Sequence, residues 1–221
     1  MAALVISDLY KSYHGKPVLS GFSAVIPEGK TTCLMGPSGI GKTTLLRILM
    51  GLEQPDGGRF CFTPSASGSG SSRRSTLWRA FSRHADARPA FRASAVFQED
   101  RLCDTLNPVS NIRLANPALT PGRIRTELNA LGLSGCLDRP VREFSGGMRR
   151  RVAILRALLA EYDLLFLDEP FQGLDPGTRA LTIDYTRIHS RGRTVLLVTH
   201  DPSDAEKMEA AQILTLKENV I

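Results

Sequence analysis

Gly36-Pro-Ser-Gly-Ile-Gly41-Lys42-Thr43 matches G-x-x-x-x-G-K-[ST] at every fixed position. Glycines in such a loop let backbone N–H groups converge on phosphate oxygens, and the following helix N-terminus adds a favourable dipole. Lys42 supplies a compact positive charge and Thr43 a hydroxyl suited to a hard cation. The flanking sequence gives the context the motif needs. Thr31 to Met35 reads as a short buried strand, and Lys42 to Met50 as a helix with Leu45, Ile48 and Leu49 on one face, closed by Gly51. Strand, glycine-rich loop and helix open an α/β nucleotide-binding fold.

The rest of the chain is read around that unit. Residues 3 to 10 and Val18 to Ile26 alternate and precede a Pro27-Glu28-Gly29-Lys30 turn, which predicts antiparallel strands at the start. Further on, a strand is predicted at Ala93 to Phe97, then a small helical insertion over about 107–140 in which Leu128, Leu131 and Leu133 recur at helical spacing. A helix (Gly146 to Ala160), a strand (Asp163 to Leu167), a helix (Pro176 to Ser190), a strand (Thr194 to Thr199), a short helix and a final strand follow. This alternation predicts a mainly parallel sheet with helices on both faces, within a single domain over 1–221. From Thr63 to about Ser75 the chain is Ser- and Gly-rich with almost no apolar residue, so a mobile loop is expected over about 63–92. Within it, Thr76 to Arg92 carries Leu77, Trp78 and Phe81 among arginines, and reads either as solvated loop or as a short amphipathic helix.

Composition narrows the setting. The longest apolar stretches (Val195 to Val198, Leu164 to Leu167, Leu155 to Ala160) fall far short of the ~20 residues a bilayer-spanning helix needs. The start carries no basic segment followed by a long apolar one, so the expected compartment is the cytoplasm. Cys33, Cys61, Cys103 and Cys136 lie far apart with no C-x-x-C, and are expected reduced and mostly buried rather than in a metal site. A net charge of +6 and the arginine run Arg149 to Arg151 allow anionic partners but are weak grounds for nucleic acid.

Leu164-Leu-Phe-Leu167 runs into Asp168-Glu169, and open parallel sheets deliver function at the carboxyl ends of their strands. Asp168 is placed to hold a Mg²⁺ ion's water shell, and Glu169 to polarise an attacking water. Between the two motifs stands Phe144-Ser145-Gly146-Gly147-Met148 ahead of an arginine-rich helix. Those residues, with Gly36 to Thr44, Gln98, Gly173-Leu174-Asp175 and His200 in order, resemble the nucleotide-binding subunits of ABC transporters over essentially the whole length.

The resemblance implies ATP and Mg²⁺ as ligands and assigns roles by position. Gly36, Pro37, Ser38, Gly39, Gly41, Lys42, Thr43 and Thr44 correspond to the phosphate loop, and Tyr13 to the aromatic that stacks on adenine, or otherwise to a half-buried strand residue. Gln98 corresponds to the glutamine that reaches Mg²⁺ and the lytic water, with Thr43 and Asp168 on the same cation. Glu169 and His200 correspond to the catalytic acid and the switch histidine. Ser145, Gly146 and Gly147 correspond to the signature that closes over ATP on another subunit, and Asp175 to an aspartate crossing that interface. The implied partners are a second copy in a head-to-tail ATP sandwich, a transmembrane permease and, indirectly, an extracytoplasmic substrate-binding protein, with no direct nucleic acid.

Met148 replaces the commoner Gln of the signature, and Gly173 the usual Ala. The segments around Gln98, Ser145 and Asp168 are most similar to importer subunits of the nitrate, sulfonate and taurine type. No C-terminal regulatory domain is expected after His200. The expected location is the cytoplasmic face of a bacterial cell membrane, held there by the permease. An exporter or a lipoprotein and lipid release ATPase would share these sites; a soluble member acting on nucleic acid or ribosomes would usually carry two cassettes or a long coiled coil. The permease groove is expected between Gln98 to Thr105 and Asn107 to Asp138, with Leu102 and Leu106 as exposed contacts or as core.

Overall fold

Two sheets divide the work of the chain, one wholly parallel and one wholly antiparallel, in a computed structural model that describes residues 3–63 and 91–216. Elements run in the order β1 (Ala3–Tyr13), β2 (Lys16–Pro27), β3 (Thr31–Met35), α1 (Lys42–Leu49), β4 (Gly57–Thr63), β5 (Ala93–Val96), α2 (Pro108–Ala115), α3 (Pro121–Ala130) and α4 (Gly146–Leu159). Then come β6 (Leu164–Asp168), α5 (Pro176–His189), β7 (Thr194–Val198), α6 (Pro202–Lys207) and β8 (Gln212–Thr215). The antiparallel sheet has the order β2-β1-β4 and the parallel sheet β5-β6-β7-β3-β8.

β6 and β7 are buried at all five positions each, as strands covered on both faces must be. Alternation then sorts their side chains. Leu164, Phe166, Leu196 and Val198 join Leu34 and α1 (Leu45, Leu46, Ile48, Leu49) in a core under the antiparallel sheet. Leu165, Leu167, Val195, Leu197 and Cys33 face a second core filled by α2, α3, α4 and α5. Full burial of each such Leu or Phe contributes about 1.5–3 kcal/mol.

Helix starts follow directly from the sequence. Asn107-Pro108, Thr120-Pro121, Asp175-Pro176 and Asp201-Pro202 each place an oxygen-bearing cap before a proline at the first helical position. The cap side chains accept N–H bonds from Ser110 (2.8 Å), Arg123 (3.3 Å), Thr178 (3.0 Å) and Ser203 (2.9 Å).

Some expectations need correction. β4 is a third antiparallel strand that the alternation did not reveal, paired with β1 from Ala3↔Thr63 to Tyr10↔Gly57. Only Leu128 of the three spaced leucines lies inside α3, although Leu131 and Leu133 are buried as well. The cysteines are free, but Cys33 and Cys136 alone are buried, while Cys61 is half-buried and Cys103 exposed. Of the mobile loop expected over about 63–92, residues 64–90 lie outside the described residues, while Thr63 ends β4. Among the described residues no helix is long and apolar enough to cross a membrane.

Candidate functional site

Strand register brings the predicted residues to one edge. Val96 pairs with Leu167, Leu167 with Leu197, and Leu197 with Cys33, so these four form one row across β5, β6, β7 and β3. Two positions beyond that row stand Gln98, Glu169, Thr199 and Met35, and one further on are His200 and Gly36. Asp168 occupies the row between, as the last residue of β6. Gln98, the Asp168-Glu169 pair, His200 and the loop from Gly36 to Thr43 therefore share the carboxyl end of the parallel sheet, where open α/β sheets bind ligands.

In that loop Lys42 Nζ donates to the carbonyls of Gly36 (2.7 Å) and Pro37 (2.8 Å). The ammonium thus closes the loop on itself across its own mouth. Pro37, Ser38 and Gly39 are exposed, and Gly41 is buried at φ 109° against β2. A Cβ on Gly41 would lie 2.6 Å from Val18 Cγ1, so both the backbone angle and the space exclude a side chain there. Thr43 Oγ1 donates to Asp168 Oδ2 at 2.9 Å. Asp168 is only 3% exposed, and burial raises its carboxyl above the usual carboxylate range despite the Thr43 bond. A cation beside these two hard oxygens would relieve that desolvation, so the pair fits Mg²⁺. Among the described residues no group of three or more His, Cys, Asp or Glu could hold a metal ion.

Glu169 leaves the strand with φ 48°, a left-handed value uncommon for a residue with a side chain. Its N–H donates to the Val198 carbonyl at 2.9 Å, which fixes the turn, and its two carboxylate oxygens lie 3.0 Å from His200 Nδ1. The hydrogen bond and charge of Glu169 raise the His200 imidazole above its ordinary value. Behind it, Arg179 pairs with Asp201 and, at 2.7 Å, with Asp204, and Thr199 Oγ1 donates to Asp204 at 3.0 Å. Asp201 is thereby held down at about 2 by the Arg179 hydrogen bond, whereas burial raises Asp204.

The remaining predicted residues form a second group. Ser145 caps α4 by accepting the Met148 N–H at 3.3 Å, and Gly146 follows it on the exposed first turn. Gly147 abuts the loop before α5: a Cβ on it would sit 3.3 Å from Leu174 Cδ2, next to Asp175. Hydrogen bonds from the Thr178 N–H and side chain lower the exposed Asp175 carboxyl. No hydrogen bond joins this group to the phosphate loop among the described residues. Tyr13 ends β1, and its hydroxyl pairs with Glu53 beyond α1. Burial and Glu53 raise that hydroxyl while Thr44 acts oppositely, which places Tyr13 beside the end of the phosphate loop.

Glu53 and Arg150 contact site residues, Arg179 holds Asp201 next to His200, and none of the three was singled out from sequence; only Arg150 carried a signal, its arginine run. Leu102 and Leu106 are half-buried, and Leu102 packs on the helical core, whereas Leu114 on α2 is 61% exposed.

The family described as ABC transporter matches residues 19–172. An Fe(3+) ions import ATP-binding protein of Rhodococcus jostii is 36% identical over 92% of this chain and 56% of its own length. An aliphatic sulfonates import ATP-binding protein of Agrobacterium fabrum is 38% identical over 92% of this chain and 72% of its own. A Nod factor export ATP-binding protein of Paraburkholderia xenovorans is 34% identical over 94% and 66%. The chain thus spans about half the length of the iron-import relatives it matches.

Proposed function

This chain belongs to the ABC transporter family, and from that premise we propose that it is an ATP-hydrolysing subunit that drives solute import through a membrane permease. The observation that carries the reading is the pairing of Thr43 with Asp168 (2.9 Å) beside the pairing of Glu169 with His200 (3.0 Å), at the mouth of the phosphate loop. It is a phosphate site with an acid and a base already aimed at one place.

The backbone N–H groups of Ser38 to Thr44 and the start of α1 cradle the phosphates, and Lys42 exchanges its two carbonyl partners for phosphate oxygens. Tyr13, held by Glu53, offers its ring to the adenine. Thr43, Asp168 and Gln98 would hold Mg²⁺, which when bound neutralises charge on the phosphates. Glu169 orients the attacking water and accepts its proton, and His200, hydrogen-bonded to Glu169, reaches for the γ-phosphate. Ser145, Gly146, Gly147 and Asp175 stand apart from this chain's own phosphate loop, so they complete the site of a second copy packed head to tail. Closing the pair excludes water from both sites, and loss of the γ-phosphate reopens them. The permease sits on the surface flanked by Gln98 to Thr105 and α2, where Leu114 is exposed, and keeps the subunit at the cytoplasmic face of the membrane. An extracytoplasmic binding protein then delivers the solute. The import direction rests on the iron and sulfonate relatives; the Nod factor relative favours export as the second reading.

Phosphate release by the purified chain, measured against Lys42→Ala, tests the enzymatic core. The variant loses at least about 10-fold in ATP affinity, as expected for removing a charge-assisted contact worth about 1.5–3 kcal/mol. Equal affinity in the two proteins would reject the phosphate-site assignment. Cells lacking the gene and given labelled iron(III) or aliphatic sulfonates accumulate less if the direction is import; unimpaired uptake with retention of an internal solute would assign export.

A further inference from the structure

The arginine run of α4 does not address solvent. Arg151 donates to the carbonyls of Leu131 (2.7 Å) and Gly147 (3.2 Å), and Arg149 to Asp104 (2.7 Å) and the Val141 carbonyl (3.1 Å). One turn on, Arg156 donates to the carbonyls of Asp100 (3.0 Å) and Arg101 (2.7 Å). Arg150 is the most deeply placed, at 9% exposure. Its Nη1 donates to the Phe97 carbonyl at 2.6 Å and its Nη2 to the Gln98 carbonyl, while its Nε lies 3.3 Å from Asp100 Oδ1.

Those two carbonyls belong to the two peptide planes that meet at the Gln98 Cα. Each peptide unit is rigid, so fixing both planes fixes the backbone angles of Gln98 and hence the direction in which its Cβ leaves the chain. A guanidinium can do this because its donors form a planar fork, whereas a lysine ammonium is a single point on a flexible stem. The exposed Gln98 side chain has no hydrogen-bond partner of its own among the described residues, so its aim comes from its backbone. We propose that Arg150 is a positioning residue that aims Gln98 at the phosphate site from the helix that Ser145 begins. The proposal rests on the functional reading above for what Gln98 does, but the clamp itself does not. One consequence is mechanical: any tilt of α4 that moves Ser145 onto a second copy's nucleotide also swings Gln98.

Removing Arg150 alone takes from the Asp100 carboxylate its nearest cation and leaves Arg149 at 4.0 Å, while burial already pushes Asp100 toward its neutral form. The test therefore uses Arg150→Lys and the charge-balanced pair Arg150→Gln with Asp100→Asn, with Arg125→Gln at the exposed Arg125–Asp138 pair as control. Hydrogen exchange of the nucleotide-free protein is read first, for 97–103 and for α4 separately. Exchange across 97–103 rises at least about 10-fold in both Arg150 variants while α4 keeps its protection. Unchanged exchange at 97–103 overturns the clamp whatever the chain binds. Turnover is read second, over a Mg²⁺ series. ATP affinity without Mg²⁺ stays within about twofold, kcat falls about 10- to 100-fold, and half-maximal rate needs more Mg²⁺, as a misplaced ligand group requires. Loss of ATP affinity in parallel with kcat would make Arg150 a structural residue only, and an unaltered kcat and Mg²⁺ dependence would overturn the positioning role. Wild-type protein that takes up no ATP refutes the proposed function and the catalytic half of this inference, and leaves the exchange data to decide the clamp.

Discussion

Replacing Glu169 by Gln keeps the shape of the side chain and removes only its charge and its ability to take a proton. The structure bounds what that change does to stability. His200 is 64% exposed and Glu169 16%, so their pair is partly solvated and of the class worth about 0–1 kcal/mol. The left-handed turn at Glu169 is held by its own N–H, which Gln retains. A change of that size moves the melting temperature of a chain this long by less than about 4 °C. The rate is another matter. General-base assistance contributes about 10²- to 10⁴-fold, or about 2.7–5.4 kcal/mol of barrier at 1.36 kcal/mol per decade. Phosphate release at saturating MgATP should therefore drop by at least two decades in a protein that melts almost normally and still binds ATP. Because hydrolysis is what reopens the pair, the variant should also pass from monomer to dimer on a sizing column when MgATP is present. A turnover within about threefold of wild type would show that another group positions the water. A large fall in melting temperature together with lost ATP binding would make Glu169 a structural residue, and the mechanism drawn from its pairing with His200 would go with it.

Ser145→Arg gives up the helix cap, at a cost of about 1 kcal/mol, and leaves the phosphate loop intact. It should bind ATP yet fail to dimerise with MgATP, and normal dimerisation on the sizing column would remove the signature reading. Gly58→Ala should destabilise by about 3 kcal/mol or more, because φ is 84° and the added Cβ would lie 2.0 Å from the Asp8 carbonyl oxygen. An unchanged urea midpoint would contradict that reading of the β1–β4 pairing. His200 should titrate above its ordinary value of 6.5 while Glu169 is present. Its stabilising contribution is then full below pH 6.5 and disappears as pH rises through the raised folded value. NMR of the imidazole should show a lower midpoint in Glu169→Gln, and equal midpoints would refute the pairing as the cause.

The parts legible in the sequence are those fixed by local chemistry. Cap-then-proline pairs mark four helix starts, and all-apolar runs mark β6 and β7. What escaped depends on partners distant in the chain. β4 opens with two glycines and gains its identity from β1, whose Ala3 pairs with Thr63. Tyr13 could be named from a resemblance, but its anchor Glu53 meets it only because the β1–β2 turn folds over the end of α1. Glu169 and His200 are separated by 31 positions, and their contact follows once β6 and β7 are known to be neighbours in register. The arginine run was legible as charge and illegible as function. Whether a guanidinium faces solvent or a carbonyl depends on which loop the helix is packed against.

In the proposed head-to-tail pair, the same contacts would let one half of a site control the other. Ser145 opens α4, whose Arg150 holds Gln98, and Asp175 opens α5, whose Arg179 holds Asp201 and Asp204 just after His200. The Arg179 N–H also donates to the Asp175 carbonyl at 2.8 Å, so that helix start and the His200 loop are a few bonds apart. Each residue proposed to reach the partner is thus tied, within its own helix, to a residue proposed to act on the chain's own nucleotide. Breaking either tie would take from the half-buried Asp100 or the buried Asp204 its nearest guanidinium. Exposed pairs such as Arg125–Asp138 yield at about 1 kcal/mol or less. In the proposed head-to-tail pair, strain applied by a second copy at Ser145 or Asp175 would therefore reach Gln98 and His200 before it is lost at the surface.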